Sequence, residues 1–261
     1  MLLTFVFALI LAVFAGLYDL KTSNVHEEVP AVLISGGLFY WLVYSLVNSD
    51  LSFAVSSLLT GIVFLLSGLL LYRARVWGDG DAWILGGLGF CLPAISAGFL
   101  SPFTEVLPYA AYFMFTLFLV GGVYSVFYIV LYGILNRSIL SRYWVELGRR
   151  RAIYIGALFA GIATSVFVPY FFVMGLLPWL YTYAKVVEAG MKRKIPVSQL
   201  KEDDVLAGGD IRGLKREEFE ELRRTRSFVD IQEGVRFTMV FSLTLVFLYF
   251  GGVMGLAGVI F

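Results

Sequence analysis

The chain has 261 residues, of which 59% are hydrophobic, 17% aromatic and only 15% charged, with a mean hydropathy of +0.84; this excludes an ordinary water-soluble domain and makes lipid the expected solvent. The formal net charge of +1 points to no partner, nucleic acid included, because the charges are segregated along the chain. One cysteine, Cys91, and one histidine, His26, exclude a disulfide framework, a thiolate zinc cage and a multi-histidine metal site.

A helix rises about 1.5 Å per residue, so roughly 20 apolar residues cross a hydrocarbon core about 30 Å thick. Apolar runs at residues 1–17, 30–47, 51–72, 82–100 and 106–135 predict five spans. The first has no Lys or Arg ahead of it and reads as a membrane helix rather than a cleaved signal. A sixth apolar region, 152–187, is broken at Pro169 and Pro178, and residues 237–261 form a last one. Trp77, Trp83 and Trp179 read as interface anchors. The expected fold class is an all-α polytopic membrane protein of about six to eight membrane segments, with a small α/β cytoplasmic insertion before the last span. Residues 1–184 are expected to form the membrane domain, residues 185–236 the insertion, and 237–261 the final helix.

Basic loops stay cytoplasmic. Lys21 follows the first span, Arg73 and Arg75 the third, and Arg137, Arg142, Arg149, Arg150 and Arg151 the fifth, whereas 48–50 and 101–105 hold no Lys or Arg. The amino terminus is therefore expected outside. Twelve further basic residues fall within 185–236, which favours placing that segment inside and 152–187 as a hairpin or re-entrant element. Within the segment, 195–200 reads as a strand, Gly208, Gly209 and Asp210 as a turn, and 215–224 as a helix.

Two acidic motifs then fall on one face of the membrane. Tyr18, Asp19, Leu20 and Lys21 end the first span, and Gly78, Asp79, Gly80 and Asp81 begin the fourth. Spans that alternate in direction bring these two ends to the same interface. Two carboxylates sharing one proton can hydrolyse a peptide bond: the ionised member takes a proton from water while the neutral one donates to the carbonyl oxygen. Gly78 and Gly80 allow an extended substrate to approach Asp81. Each motif also has a plainer reading, Asp81 as a helix N-cap and Asp19 as a solvated charge paired with Lys21.

Gly78-Asp79-Gly80-Asp81 resembles the G-x-G-D signature of the membrane aspartic peptidases, with Asp81 in the catalytic position and Asp79 in the variable one. Asp19-Leu20-Lys21-Thr22-Ser23-Asn24-Val25 is similar to the other element of the type IV prepilin peptidases, and order and spacing resemble the archaeal preflagellin (prearchaellin) and prepilin peptidases. The resemblance covers residues 1–135, which it implies to be the catalytic core. It implies catalytic Asp19 and Asp81, with Gly78, Asp79, Gly80 and Lys21 near the substrate. It also implies cleavage, without a metal or other cofactor, of a short basic leader from a pilin-like or archaellin-like precursor just before that precursor's hydrophobic amino-terminal helix, in a multi-pass membrane protein whose site faces the cytoplasm. Trp83 departs from the lysine found there in many members, which bears on substrate class. With Cys91 alone, the zinc domain of bacterial relatives is absent and no methyltransferase activity is expected.

Presenilin-like and signal-peptide-peptidase-like enzymes share Tyr-Asp and G-x-G-D but carry a Pro-Ala-Leu motif, whose nearest match here is Pro93-Ala94-Ile95. His26-Glu27-Glu28-Val29-Pro30 begins like H-E-x-x-H but has proline where the second zinc ligand belongs. A proton- or cation-coupled transporter is the alternative of another class; it would place ionisable groups mid-span, often in repeated halves, and no internal repeat is seen. Gly251 and Gly255 form a G-x-x-x-G suited to helix packing.

Overall fold

A computed structural model describes residues 2–94, 101–166, 171–200, 205–207, 216–232 and 234–252, with backbone only at 101–103, 171, 216 and 217. The described helices are α1 (Leu2–Thr22), α2 (Glu28–Val47), α3 (Ser52–Arg73), α4 (Asp79–Cys91), α5 (Ser101–Leu135), α6 (Arg137–Arg149), α7 (Arg151–Ser165), α8 (Phe171–Gly190), α9 (Arg216–Thr225) and α10 (Met239–Tyr249), with strands β1 (Lys192–Pro196) and β2 (Phe228–Gln232). Among the described residues four stretches, Leu2–Thr22, Glu28–Val47, Ser52–Arg73 and Thr104–Leu135, are long and apolar enough to cross a membrane. Large apolar side chains such as Phe39 and Leu70 stand 70% and 68% exposed on them, a surface that lipid rather than water covers. The chain is an all-α membrane protein with a small α/β insertion. Its described residues divide into two compact units, one drawn from 2–124 and 236–252 and the other from 125–207 and 216–235.

The first unit is organised around its small residues. Ala8, Ala12, Ala15 and Gly16 make the buried face of α1, and their size lets α10 come close. A Cβ on Gly16 would lie 2.8 Å from Met239 Cα. Phe5 and Tyr249 stack at 5.5 Å, so α1 and α10 run antiparallel, with the start of α10 against the end of α1. Helix α4 is wedged between α2 and α3: Gly37 faces the Phe90 carbonyl and Gly68 the Ala82 backbone. Ala82 and every residue from Ile84 to Cys91 are buried.

The sequence predicts a fourth span over 82–100. The described helix instead starts at Asp79 and stops before Pro93, which disfavours helical geometry in the residue ahead of it. Helix-end carbonyls with no partner inside the helix need donors from elsewhere. They receive them from Trp41 Nε1, 3.0 Å from the Cys91 oxygen, and Ser57 Oγ, 2.7 Å from the Phe90 oxygen. Trp77 is also not the interface anchor expected: it is buried against Phe118, Phe237 and Phe241.

In the second unit α7 and α8 form an antiparallel hairpin. Tyr154 Oη meets Thr182 Oγ1 at 2.7 Å, Trp179 Nε1 donates to the Tyr154 carbonyl at 3.3 Å, and Gly175 faces Ala157. The chain thus returns along the helix it arrived by. Arg-rich residues 137–149, expected as a loop, are helical because Ile139 and Leu147 fall on one buried face. In the insertion, β1 and β2 pair antiparallel from Lys192 opposite Gln232 to Pro196 opposite Phe228. The strand expected at 195–200 is therefore displaced: Pro196 has no N–H to continue the ladder, and Val197–Gln199 form a single 3-10 turn. The turn expected at Gly208, Gly209 and Asp210, the break at Pro169 and the packing glycine Gly255 lie outside the described residues.

Candidate active site

Asp19 sits in the last turn of α1, which closes at Ser23: the Ser23 N–H donates to the Asp19 carbonyl at 2.8 Å, and Ser23 itself takes a left-handed φ of 61°. Its side chain points inward and is 6% exposed, while Lys21 is exposed. The surface ion pair with Lys21 is thus not the arrangement adopted.

Asp81 lies in the first turn of α4. The N-cap is Gly78, in extended backbone, so Asp81 is not the cap. From the third helical position its carboxyl reaches back to the Gly78 N–H, the geometry of a capping box. Asp79 is exposed and accepts from the Gly80 N–H at 2.8 Å. Gly80 lies against the chain that leaves α1, where a Cβ would stand 2.7 Å from Val25 Cβ. The two motifs therefore pack directly on one another.

What joins them is Thr238, just ahead of α10. Its backbone N–H donates to Asp19 Oδ2 at 3.2 Å and its hydroxyl donates to Asp81 Oδ1 at 2.9 Å. The residue is buried, and the charge of Asp19 acts on Asp81. Two positions earlier, Arg236 Nη1 donates to the Leu20 carbonyl, and its charge also acts on Asp19. The Arg236 carbonyl in turn accepts from Tyr124 Oη at 2.8 Å. Trp77 and Phe237 form an aromatic floor, ring centroids 5.4 Å apart.

Of the residues singled out from sequence, Asp19, Asp81, Gly78 and Gly80 come together, while the side chains of Asp79 and Lys21 remain at the surface. Thr238 and Arg236 escaped notice. Their only signal was a polar pair where the last apolar run begins. Among the described residues no three His, Cys, Asp or Glu side chains are grouped to hold a metal.

No protein-family model matches the chain, and no solved structure matches it. Among curated proteins it is similar to the preflagellin peptidase of Methanocaldococcus jannaschii, with 26% identity over 108 residues. That stretch is 41% of this chain and 46% of the relative, so the match spans about half the relative's length. The chain is a helical membrane protein similar, over less than half of its length, to a peptidase.

Proposed function

We propose that the chain is a membrane aspartic endopeptidase that removes the short basic leader from archaellin-like or pilin-like precursors at the cytoplasmic face of the membrane. The observation that carries this reading is the clamp at Thr238, one residue that donates its main-chain N–H to Asp19 and its hydroxyl to Asp81. Two carboxylates held this way can share a proton. The ionised one removes a proton from water as the oxygen bonds to the scissile carbonyl carbon, and the protonated one passes its proton to the carbonyl oxygen. Collapse of that intermediate breaks the C–N bond, and the nitrogen leaves with a proton returned from the pair.

Both aspartates lie at helix ends, so a precursor's apolar helix would rest in the bilayer with its leader at the surface. Lys21, Arg75 and Arg236 gather at the same ends of α1, α3 and α10, which the positive-inside rule puts in the cytoplasm. On this reading residues 1–135 carry the catalytic core, completed by the start of the 237–261 segment, and 185–236 is a cytoplasmic insertion. The similarity to a preflagellin peptidase supports the precursor class.

The test is leader cleavage of an archaellin-like precursor in membranes holding wild type, Asp19→Asn, Asp81→Asn or Asp79→Asn protein at matched levels. Loss of about 10²- to 10⁴-fold for the first two variants, with Asp79→Asn within a few-fold of wild type, is expected when a general acid or base is removed. Wild-type cleavage by either Asp19→Asn or Asp81→Asn sinks the proposal.

A further inference from the structure

Helix α6 has two apolar edges, and only one is used. On the used edge Ile139 and Leu147 are buried, and Tyr143 meets the Tyr183 ring edge-on at 5.0 Å. On the other, Trp144 and Val145 stand 62% and 61% exposed, beside Arg137 and Leu140 along an open groove. A helix with tryptophan on an open apolar edge and arginines on its polar face lies in the plane of a membrane–water interface.

Between α6 and α8, within the second unit, is a cleft of about 490 Å³. Arg142, Arg150 and Lys185 line it with the hydroxyl-bearing Ser141 and Thr182, while Val145 and Val186 give it apolar walls. The acids nearby are already engaged. Glu146 pairs with Arg149 at 3.1 Å and Glu188 with Lys185 at 2.9 Å. Arg142 and Arg150 are left without an ion-pair partner among the described residues, both on the same cleft. Paired guanidinium forks beside hydroxyl groups match the oxygens of a phosphate, and the apolar walls suit the glycerol end of a lipid.

We propose that the cleft between α6 and α8 binds the phosphate-bearing headgroup of an anionic membrane lipid, with Arg142 and Arg150 on the phosphate and Trp144 and Val145 among the upper acyl carbons. The open apolar edge beside the arginines selects a lipid over a free anion.

The experiment uses the full chain in nanodiscs of mixed phosphatidylcholine and phosphatidylglycerol, extracted gently and analysed by native mass spectrometry for retained lipid. Wild type should retain phosphatidylglycerol in preference to phosphatidylcholine. Arg142→Gln/Arg150→Gln should lose that preference by roughly tenfold or more. Arg142→Lys/Arg150→Lys should restore part of it, and Arg223→Gln/Arg224→Gln on α9, which removes the same charge elsewhere, should leave it intact. All four arginines are exposed, so an unchanged thermal midpoint in detergent is expected for each variant. Equal loss in the α9 variant, equal retention of both lipids by wild type, or displacement of phosphatidylglycerol by millimolar inorganic phosphate would overturn the proposal.

Discussion

The Thr238 hydroxyl stands 2.9 Å from Asp81 Oδ1, a residue 157 positions earlier in the chain, and its own main-chain N–H serves Asp19. A single residue outside both acidic motifs therefore bridges their carboxylates. That arrangement divides the consequences of substitution between chemistry, positioning and folding.

Thr238→Val keeps the shape and the main-chain donor but removes the hydroxyl, while Thr238→Ser keeps both donors. A net hydrogen bond is worth about 1 kcal/mol, so kcat for leader cleavage should fall about five- to tenfold in the valine variant. KM should hold near wild type, and the serine variant should recover most of the rate. A fall in KM-limited turnover alone, or equal loss in both variants, would assign Thr238 to substrate binding or to folding instead.

Because one carboxyl must be charged and the other protonated, cleavage by wild type should follow a bell-shaped pH profile whose two limbs belong to the pair jointly. Asp79→Asn should keep the bell shape with one limb displaced, since Asp79 is exposed and bonded to its neighbour's N–H while its charge acts on Asp81. The measurement is kcat/KM against pH for the two proteins.

Gly80→Ala places a methyl 2.7 Å from Val25 Cβ, which pushes the first turn of α4 away from the end of α1. Cleavage should drop about tenfold or more, since small misplacements of catalytic groups carry large rate effects. Val25→Gly in the same chain should restore part of it where Val25→Ala does not, because the nearest obstacle is the Val25 Cβ, which alanine keeps, and a double-mutant cycle reads the coupling directly.

Gly16→Ala meets backbone instead, 2.8 Å from Met239 Cα. Overpacking of this kind costs about 1–3 kcal/mol, seen as a lowered thermal midpoint. Met239→Ala should not rescue it.

Asp50 gives a pH effect on stability alone. The hydroxyl and the N–H of Ser52, the latter 2.9 Å from Asp50 Oδ1, hold its carboxyl below the usual carboxylate range. A depressed folded-state value means stability that is present above the unfolded value of about 3.9 and is lost as pH falls through the folded one. Asp50→Ala should therefore lower the thermal midpoint at pH 7, and the two proteins should converge near pH 2.

Much of the site was legible because its two halves obey rules that act locally. The alternation of apolar runs, together with Lys21, Arg73 and Arg75, brought Asp19 and Asp81 to one interface without any knowledge of packing. Thr238 was not legible, because a threonine at the start of an apolar run looks like any other; only the antiparallel fit of α10 against Gly16 gives it a role. Helix α6 was hidden by its arginines, although Ile139, Tyr143 and Leu147 recur at every fourth position and were the available signal. Strand β2 was missed for its brevity, and its alternation of Val229 and Ile231 with Asp230 and Gln232 becomes persuasive only beside β1.

The antiparallel pairing of the first and last described helices also sets a schedule. Ribosomes add about 5 to 20 residues per second, so Thr238 emerges about 8 to 31 s after Asp81, the residue it will hold 157 positions back. Throughout that interval the contact of Gly80 with Val25 is available to the two motifs, but the donors that Thr238 gives both carboxylates are missing. On the proposed activity, the nascent enzyme is not fully assembled beside its own freshly inserted neighbours until α10 docks, and full hydrolysis waits on that docking.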